Sequence, residues 1–124
     1  MKKQINTVNA PAAIGPYSQG VSFGDLIFLS GQIPLNPKTG ELVKGITEET
    51  TQVFENIKAL LDESGSSFDK VLKCSVFLKD MNDFGAMNDV YAKYFTEPYP
   101  AREAVQVAKL PKGVSVEISV ITTK

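Results

Sequence analysis

Two residues stand out for the chemistry they could perform. Glu117 lies inside the otherwise apolar stretch Val114–Ile121, and a carboxylate is seldom buried without a partner. Two readings are open. It can face solvent on an amphipathic strand beside Ser115 and Ser119. Or it can sit in a partly desolvated cleft, its pKa raised by burial or held down by an arginine. Arg102 is the only arginine; the other twelve of the 13 basic residues are lysines. A guanidinium offers a planar fork that matches a carboxylate through two parallel hydrogen bonds, which an ammonium cannot do. Placed after Tyr99-Pro100-Ala101 at the entry to a strand, Arg102 could anchor a substrate carboxylate. The alternative is a surface ion pair with Glu103, a common and weak feature.

Other positions carry less. Gly15-Pro16-Tyr17-Ser18 is a turn that displays a ring, for a ligand or for loop packing. Ser30-Gly31 ends a strand where backbone amides could be left to hold an anion or oxyanion; otherwise it is a strand terminus with a flexible φ. Cys74 alternates into an apolar face and reads as an inert core thiol. The chain has no histidine. That removes Ser-His-Asp and Cys-His catalysis and His-ligated metal sites. Acid–base work near neutral pH must come from carboxylates, tyrosine, lysine, the thiol or bound water. No metal-ligand spacing, phosphate loop or dinucleotide fingerprint is present.

The elements that must position these residues follow from pattern. Residues 21–30 read as a hairpin turning at Gly24-Asp25, with Leu26–Ser30 as its second strand. Asn36–Gly40 is a loop. Thr47 is expected to cap a helix with Glu48 and Glu49 in its first turn and Gly65 as its stop. Val53, Phe54, Ile57, Leu60 and Leu61 form its apolar stripe. Val71–Lys79 alternates as a strand, with Leu72, Cys74, Val76 and Leu78 on one face and Val71, Lys73, Ser75, Phe77 and Lys79 on the other. Asp80 to Asp83 offers caps for a second helix carrying Phe84, Met87, Tyr91, Tyr94 and Phe95, with Pro98 ending it. Ala104–Lys109 is the next strand, Leu110–Gly113 a turn, and Val114–Thr122 the last strand. If these two strands made a simple hairpin, residue 106 would face Glu117, and Arg102 would stand roughly 13 Å further along.

The order β-β-β, α, β, α, β-β implies a single α+β domain spanning residues 1–124, a mixed sheet with both helices on one face. Strand 26–30 is apolar on both sides, and no further helix is available to cover the second face. Self-association, as in a closed ring, is therefore expected. Hydrophobic residues make up 43% and charged residues 22%, with a formal net charge of −1, so the chain can bury a core and disorder is not expected. Lys2-Lys3 is the sole adjacent basic pair, which argues against a nucleic-acid partner. One cysteine permits no intrachain disulfide and suits a reducing compartment. The first residues lack the apolar core of a signal peptide, and no apolar run approaches the roughly 20 residues of a membrane span. A cytoplasmic protein with no membrane partner is the expectation.

Taken together, these segments resemble the RidA (YjgF-type) family. The resemblance rests on Gly15-Pro16-Tyr17-Ser18-Gln19, Ser30-Gly31-Gln32-Ile33-Pro34, Lys79-Asp80-Met81-Asn82-Asp83-Phe84, Asn88-Asp89-Val90-Tyr91, Pro100-Ala101-Arg102, Leu110-Pro111-Lys112-Gly113 and Val116-Glu117-Ile118. Each is weak alone, but they occur in order and at family-like spacing from about Ile5 to Ile121. The resemblance implies a chorismate-mutase-like fold, a homotrimer with ligand clefts between subunits, and no metal or organic cofactor. It implies hydrolytic deamination of 2-imino acids and their enamine tautomers (2-iminopropanoate, 2-iminobutanoate, 2-aminoacrylate) to 2-keto acids and ammonia.

By position, the resemblance makes Arg102 the carboxylate binder and Glu117 the holder of the attacking water. Tyr17 becomes a cleft-lining ring, and Ser30 and Gly31 stand near the ligand, Gly31 through its backbone. Phe84, Asn88 and Ala104 line the substrate site. Many relatives have Ser-Cys after the arginine, whereas this chain has Glu103-Ala104, so no thiol can be essential. Alternation turns Glu103 to the face opposite Arg102. A non-enzymatic regulatory protein that binds a small carboxylate in the same cleft is the competing reading. A ribonuclease or translation inhibitor, also attached to the family, is disfavoured by the missing histidine and basic patch.

Overall fold

The computed structural model describes residues 1–124. Apolar residues that alternate or recur at helical spacing decide which surfaces close. The strands are β1 (Lys3–Ile5), β2 (Gly20–Phe23), β3 (Leu26–Gln32), β4 (Val71–Leu78), β5 (Ala101–Gln106) and β6 (Val116–Thr123). Helix α1 spans Ile46–Ser64 and α2 spans Phe84–Tyr94. All six strands form one sheet in the order β1-β2-β3-β6-β4-β5. The sheet is mixed: β4 runs parallel to β5 and antiparallel to β6, which is also antiparallel to β3.

One face of the sheet presents Ile27, Leu29, Cys74, Val76, Leu78, Val116, Ile118 and Val120, all buried in a single core with the apolar stripes of α1 and α2. Phe54 of α1 sits at the centre of the helix layer. Its ring stacks on Tyr94 at 4.7 Å and meets Tyr91, Phe95 and Phe68 edge-on. The opposite face has no covering layer. Phe28 and Val105 there are 42% and 43% exposed, and Phe77 and Ile121 are half-buried beside them. The expected arrangement of both helices on one face, with an apolar face left open, is what the chain adopts. No helix is long and apolar enough to cross a membrane.

Several boundaries differ from the sequence reading, each for a local reason. The α1 cap is Gly45 rather than Thr47. Its φ of 96° reverses the chain without a side chain, and its carbonyl accepts the Glu49 amide at 2.7 Å. Gly65 ends α1 in the left-handed conformation, φ 75°, as expected. In β4 a bulge between Val71 and Lys73 breaks the alternation, so Val71 is buried and Leu72 is exposed. Asp80 does cap, accepting the Asn82 amide, but it starts a 3-10 turn that precedes α2. Helix α2 stops at Tyr94, before Pro98 is reached.

The largest correction concerns β5. It lies at Ala101–Gln106, earlier than 104–109, and pairs with β4 instead of forming a hairpin with β6. A strand that follows another through a helix returns parallel to it. Arg102 therefore stands inside β5, in register with Cys74.

Candidate functional site

Arg102 shares the helix-covered side of the sheet with Cys74. Its Nη1 donates to Asn88 Oδ1 at 2.7 Å. Its Cζ lies 4.6 Å from the Tyr91 ring centroid and 5.3 Å from that of Phe84. All three partners belong to α2, one turn apart on the surface that faces β5. Beside the guanidinium opens a hollow of about 410 Å³ lined by Asn88, Tyr91, Ala92, Tyr99, Pro100 and Arg102. A fixed fork at the edge of such a hollow is suited to a small carboxylate.

Beneath Arg102 the groups are inert. Burial pushes the Cys74 thiol up to about 11, so it is no nucleophile near neutral pH. Burial likewise raises the Tyr91 phenol, and its hydroxyl has no hydrogen bond of good geometry; Cys74 and Arg102 are the titratable groups close enough to act on it. Glu103 does turn away from Arg102. It pairs with Lys73 Nζ at 3.1 Å and accepts from Ser75 Oγ at 3.3 Å on the open face. The alternative of an Arg102–Glu103 ion pair is not what forms.

Glu117 occupies a different place. It pairs with Phe77 across β6 and β4, so it points to the uncovered face. It is half-buried, and desolvation raises its carboxyl above the usual range. A carboxyl poised this way can take and return a proton closer to neutral pH. Gly31 faces it, within a register break between Leu29 and Gln32. The Glu117 carboxyl lies directly over Gly31, where an added Cβ would force that side chain to move.

The neighbouring Ser30 corrects one expectation. Its amide is not free for an anion, since it donates to the Gln19 carbonyl at 2.9 Å, and its hydroxyl donates to the Ser18 carbonyl at 2.7 Å. Ser30 thus fastens the Tyr17 turn to β3. Gln19, buried, fastens the other side by accepting the Thr7 amide and donating to the Thr7 and Pro11 carbonyls. Tyr17 remains 55% exposed and lines a small hollow of about 100 Å³ with Gly31, Ile33, Leu35 and Lys112.

The structure therefore assembles two part-sites rather than one. Arg102, Asn88, Phe84 and Tyr91 make the first; Glu117 against Gly31 makes the second, with Tyr17 lining a hollow that Gly31 shares. Ala104 joins neither, being packed against the core. Strand β4 separates β5 from β6. Arg102 is level with Val120 through Cys74, three residues from Glu117. That places the two backbones roughly 14 Å apart at ordinary strand spacings, with the side chains on opposite faces. Within one copy they do not share a hollow. The sequence reading missed Tyr91 and Tyr99 as site residues; for Tyr91 the signal was its position three residues after Asn88 on one helix face.

Comparison with known proteins bears on the family and the fold. Residues 7–124 match the family model described as Endoribonuclease L-PSP. A RutC family protein of Pyrococcus horikoshii is 57% identical over 125 residues, covering 100% of this chain and 99% of that protein. The 2-iminobutanoate/2-iminopropanoate deaminase of Escherichia coli K12 is 47% identical over 127 residues, covering 100% and 99%. A solved structure from Yersinia pestis, described as a protein of unknown function of the conserved Rid protein family, superposes with a TM-score of 0.97 at 47% identity over 100% of both chains. With a matched family model, near-complete coverage by relatives and the same fold, this chain belongs to the RidA (YjgF-type) family.

Proposed function

We propose that the chain hydrolyses 2-imino acids and their 2-enamino tautomers to 2-keto acids and ammonia, in a cleft formed where two copies meet. The observation that carries this reading is the pair of part-sites: an arginine held ready for a carboxylate, and a desolvated carboxyl held against Gly31, on opposite faces of one sheet. Each lacks what the other has. The open apolar face on which Glu117 lies is the surface a second copy would cover, and a closed homotrimer would repeat the junction at every subunit boundary. The name carried by the Escherichia coli relative gives the reaction class.

The chemistry needs few parts. Arg102 of one copy pairs with the substrate carboxylate. Glu117 of the next holds a water against the imine carbon. A proton on the imine nitrogen makes that carbon electrophilic; Glu117 accepts a proton as the water attacks. Glu117 then returns that proton to the carbinolamine nitrogen, the C–N bond breaks, ammonia leaves, and the hydroxyl gives up its proton to solvent as the carbonyl of the 2-keto acid forms. The scheme uses no metal or organic cofactor. Such imines also hydrolyse unaided, so positioning carries much of the effect.

A coupled assay tests this. A threonine dehydratase supplies 2-iminobutanoate, and ammonia release is followed with no amine trap present, because a trap would itself displace ammonia from the imine. The chain should accelerate release, and Arg102→Ala should abolish the acceleration while leaving circular dichroism unchanged. No acceleration, together with tight binding of 2-oxobutanoate, would replace the enzyme with a carboxylate-binding regulatory protein.

A further inference from the structure

We infer that Tyr91, with Phe84, is an aromatic seat that fixes the plane of the Arg102 guanidinium, which makes Tyr91 a positioning residue for carboxylate capture. The inference rests on the reading that Arg102 binds the substrate carboxylate. Arg102 lies on β5, a strand with one unpaired edge whose residues are almost all exposed. An arginine in such a place would ordinarily sample many rotamers, and a bidentate contact is orientation-sensitive. Its single hydrogen bond, to Asn88, fixes one nitrogen and leaves rotation about that contact. The rings remove this freedom: the guanidinium carbon lies 4.6 Å from the Tyr91 centroid and 5.3 Å from that of Phe84. Contacts of this kind are attractive through the ring quadrupole.

Tyr91 is itself immobile. The residue is 5% exposed, and its ring packs on Phe95 at 4.6 Å and meets Phe54 at 5.9 Å. The orientation of an exposed side chain is thereby inherited from the core. The hydroxyl plays no part in this, since it is buried without a good hydrogen bond. The ring face, not the phenol, is the working feature, and that separates the outcomes of two substitutions.

Binding of 2-oxobutanoate measured by calorimetry, alongside KM and kcat for 2-iminobutanoate, tests the seat. Tyr91→Phe should keep Kd and KM within about twofold, because the ring face is retained. Tyr91→Leu should raise both about tenfold with a much smaller change in kcat, and Phe84→Leu about threefold. Methyl 2-oxobutanoate, which lacks the anion, should bind all variants alike. Phe84 is only half-buried, so its variant decides the matter if Tyr91→Leu fails to fold. Wild-type Kd and KM in both leucine variants, with Arg102→Ala inactive, would overturn the seat and leave the deaminase reading standing. Loss of affinity in Tyr91→Phe would overturn it too. Wild-type binding in Arg102→Ala would overturn both.

Discussion

Glu117 is a charge placed where the fold works against ionisation. Its folded pKa is raised by desolvation from an ordinary value of 4.5. The sign of the stability effect follows by linkage. Below the unfolded value both states hold the proton and no penalty arises. Between the unfolded and folded values the unfolded chain releases it first, so stability falls as pH rises through that window. Urea midpoints measured from pH 4.5 to 7 should therefore decline more steeply for the wild type than for Glu117→Gln, which cannot ionise. Parallel curves would mean that Glu117 is not desolvated in solution. A site that retains a carboxyl at such a disadvantage fits a role in proton transfer better than one in packing. At this scale the sequence was informative because both residues are exceptions to their surroundings: one carboxylate in an apolar strand and one arginine among lysines. What it could not show is how each is held. The Asn88 bond, the Tyr91 ring and the seating of the Glu117 carboxyl over Gly31 all join residues on different elements.

The elements translate those contacts into position. Besides packing on the strand that bears Glu117, helix α1 holds the approach to it through a buried carboxylate: Glu49 Oε1 accepts the Ser115 amide at 2.8 Å, just before β6 begins. This bond sets where the Leu110–Gly113 turn hands over to the strand. Glu49→Ala leaves that amide without its partner, at a cost of about 1–3 kcal/mol. A urea or thermal titration should detect the loss, whereas Glu49→Gln, which keeps an acceptor, should recover most of it. If alanine and glutamine behaved alike, the bond would be incidental. The two helices and the first hairpin were readable from local pattern, because stripes of buried residues and glycines with positive φ act within a few positions. Strand β5 was misplaced because its defining contacts are with β4, more than twenty residues earlier, and its exposed residues show no alternation. The strand–helix–strand order of β4, α2 and β5 was the available signal. Applied to them, it replaces the expected hairpin with a parallel pair and puts Arg102 over α2.

Over the whole molecule, a one-sided sheet and a divided site make the same demand. Phe28 and Val105 are exposed and Phe77 and Ile121 half-buried on the side where Glu117 stands, and apolar surface of that kind is what a second copy would cover. If a ring of copies closes over it, each cleft draws Arg102 from one subunit and Glu117 from its neighbour. Such a division is measurable without a structure of the assembly. Arg102→Ala and Glu117→Gln should each be nearly inactive alone. Unfolded together in equal amounts and refolded, they should recover about a quarter of wild-type deamination, because chance pairing in a heterologous ring gives about one cleft in four both intact residues. Simple mixing without unfolding should recover little if subunits exchange slowly. Were the arginine and the carboxyl to act from the same chain, no mixture would regain activity, since every copy would lack one of them.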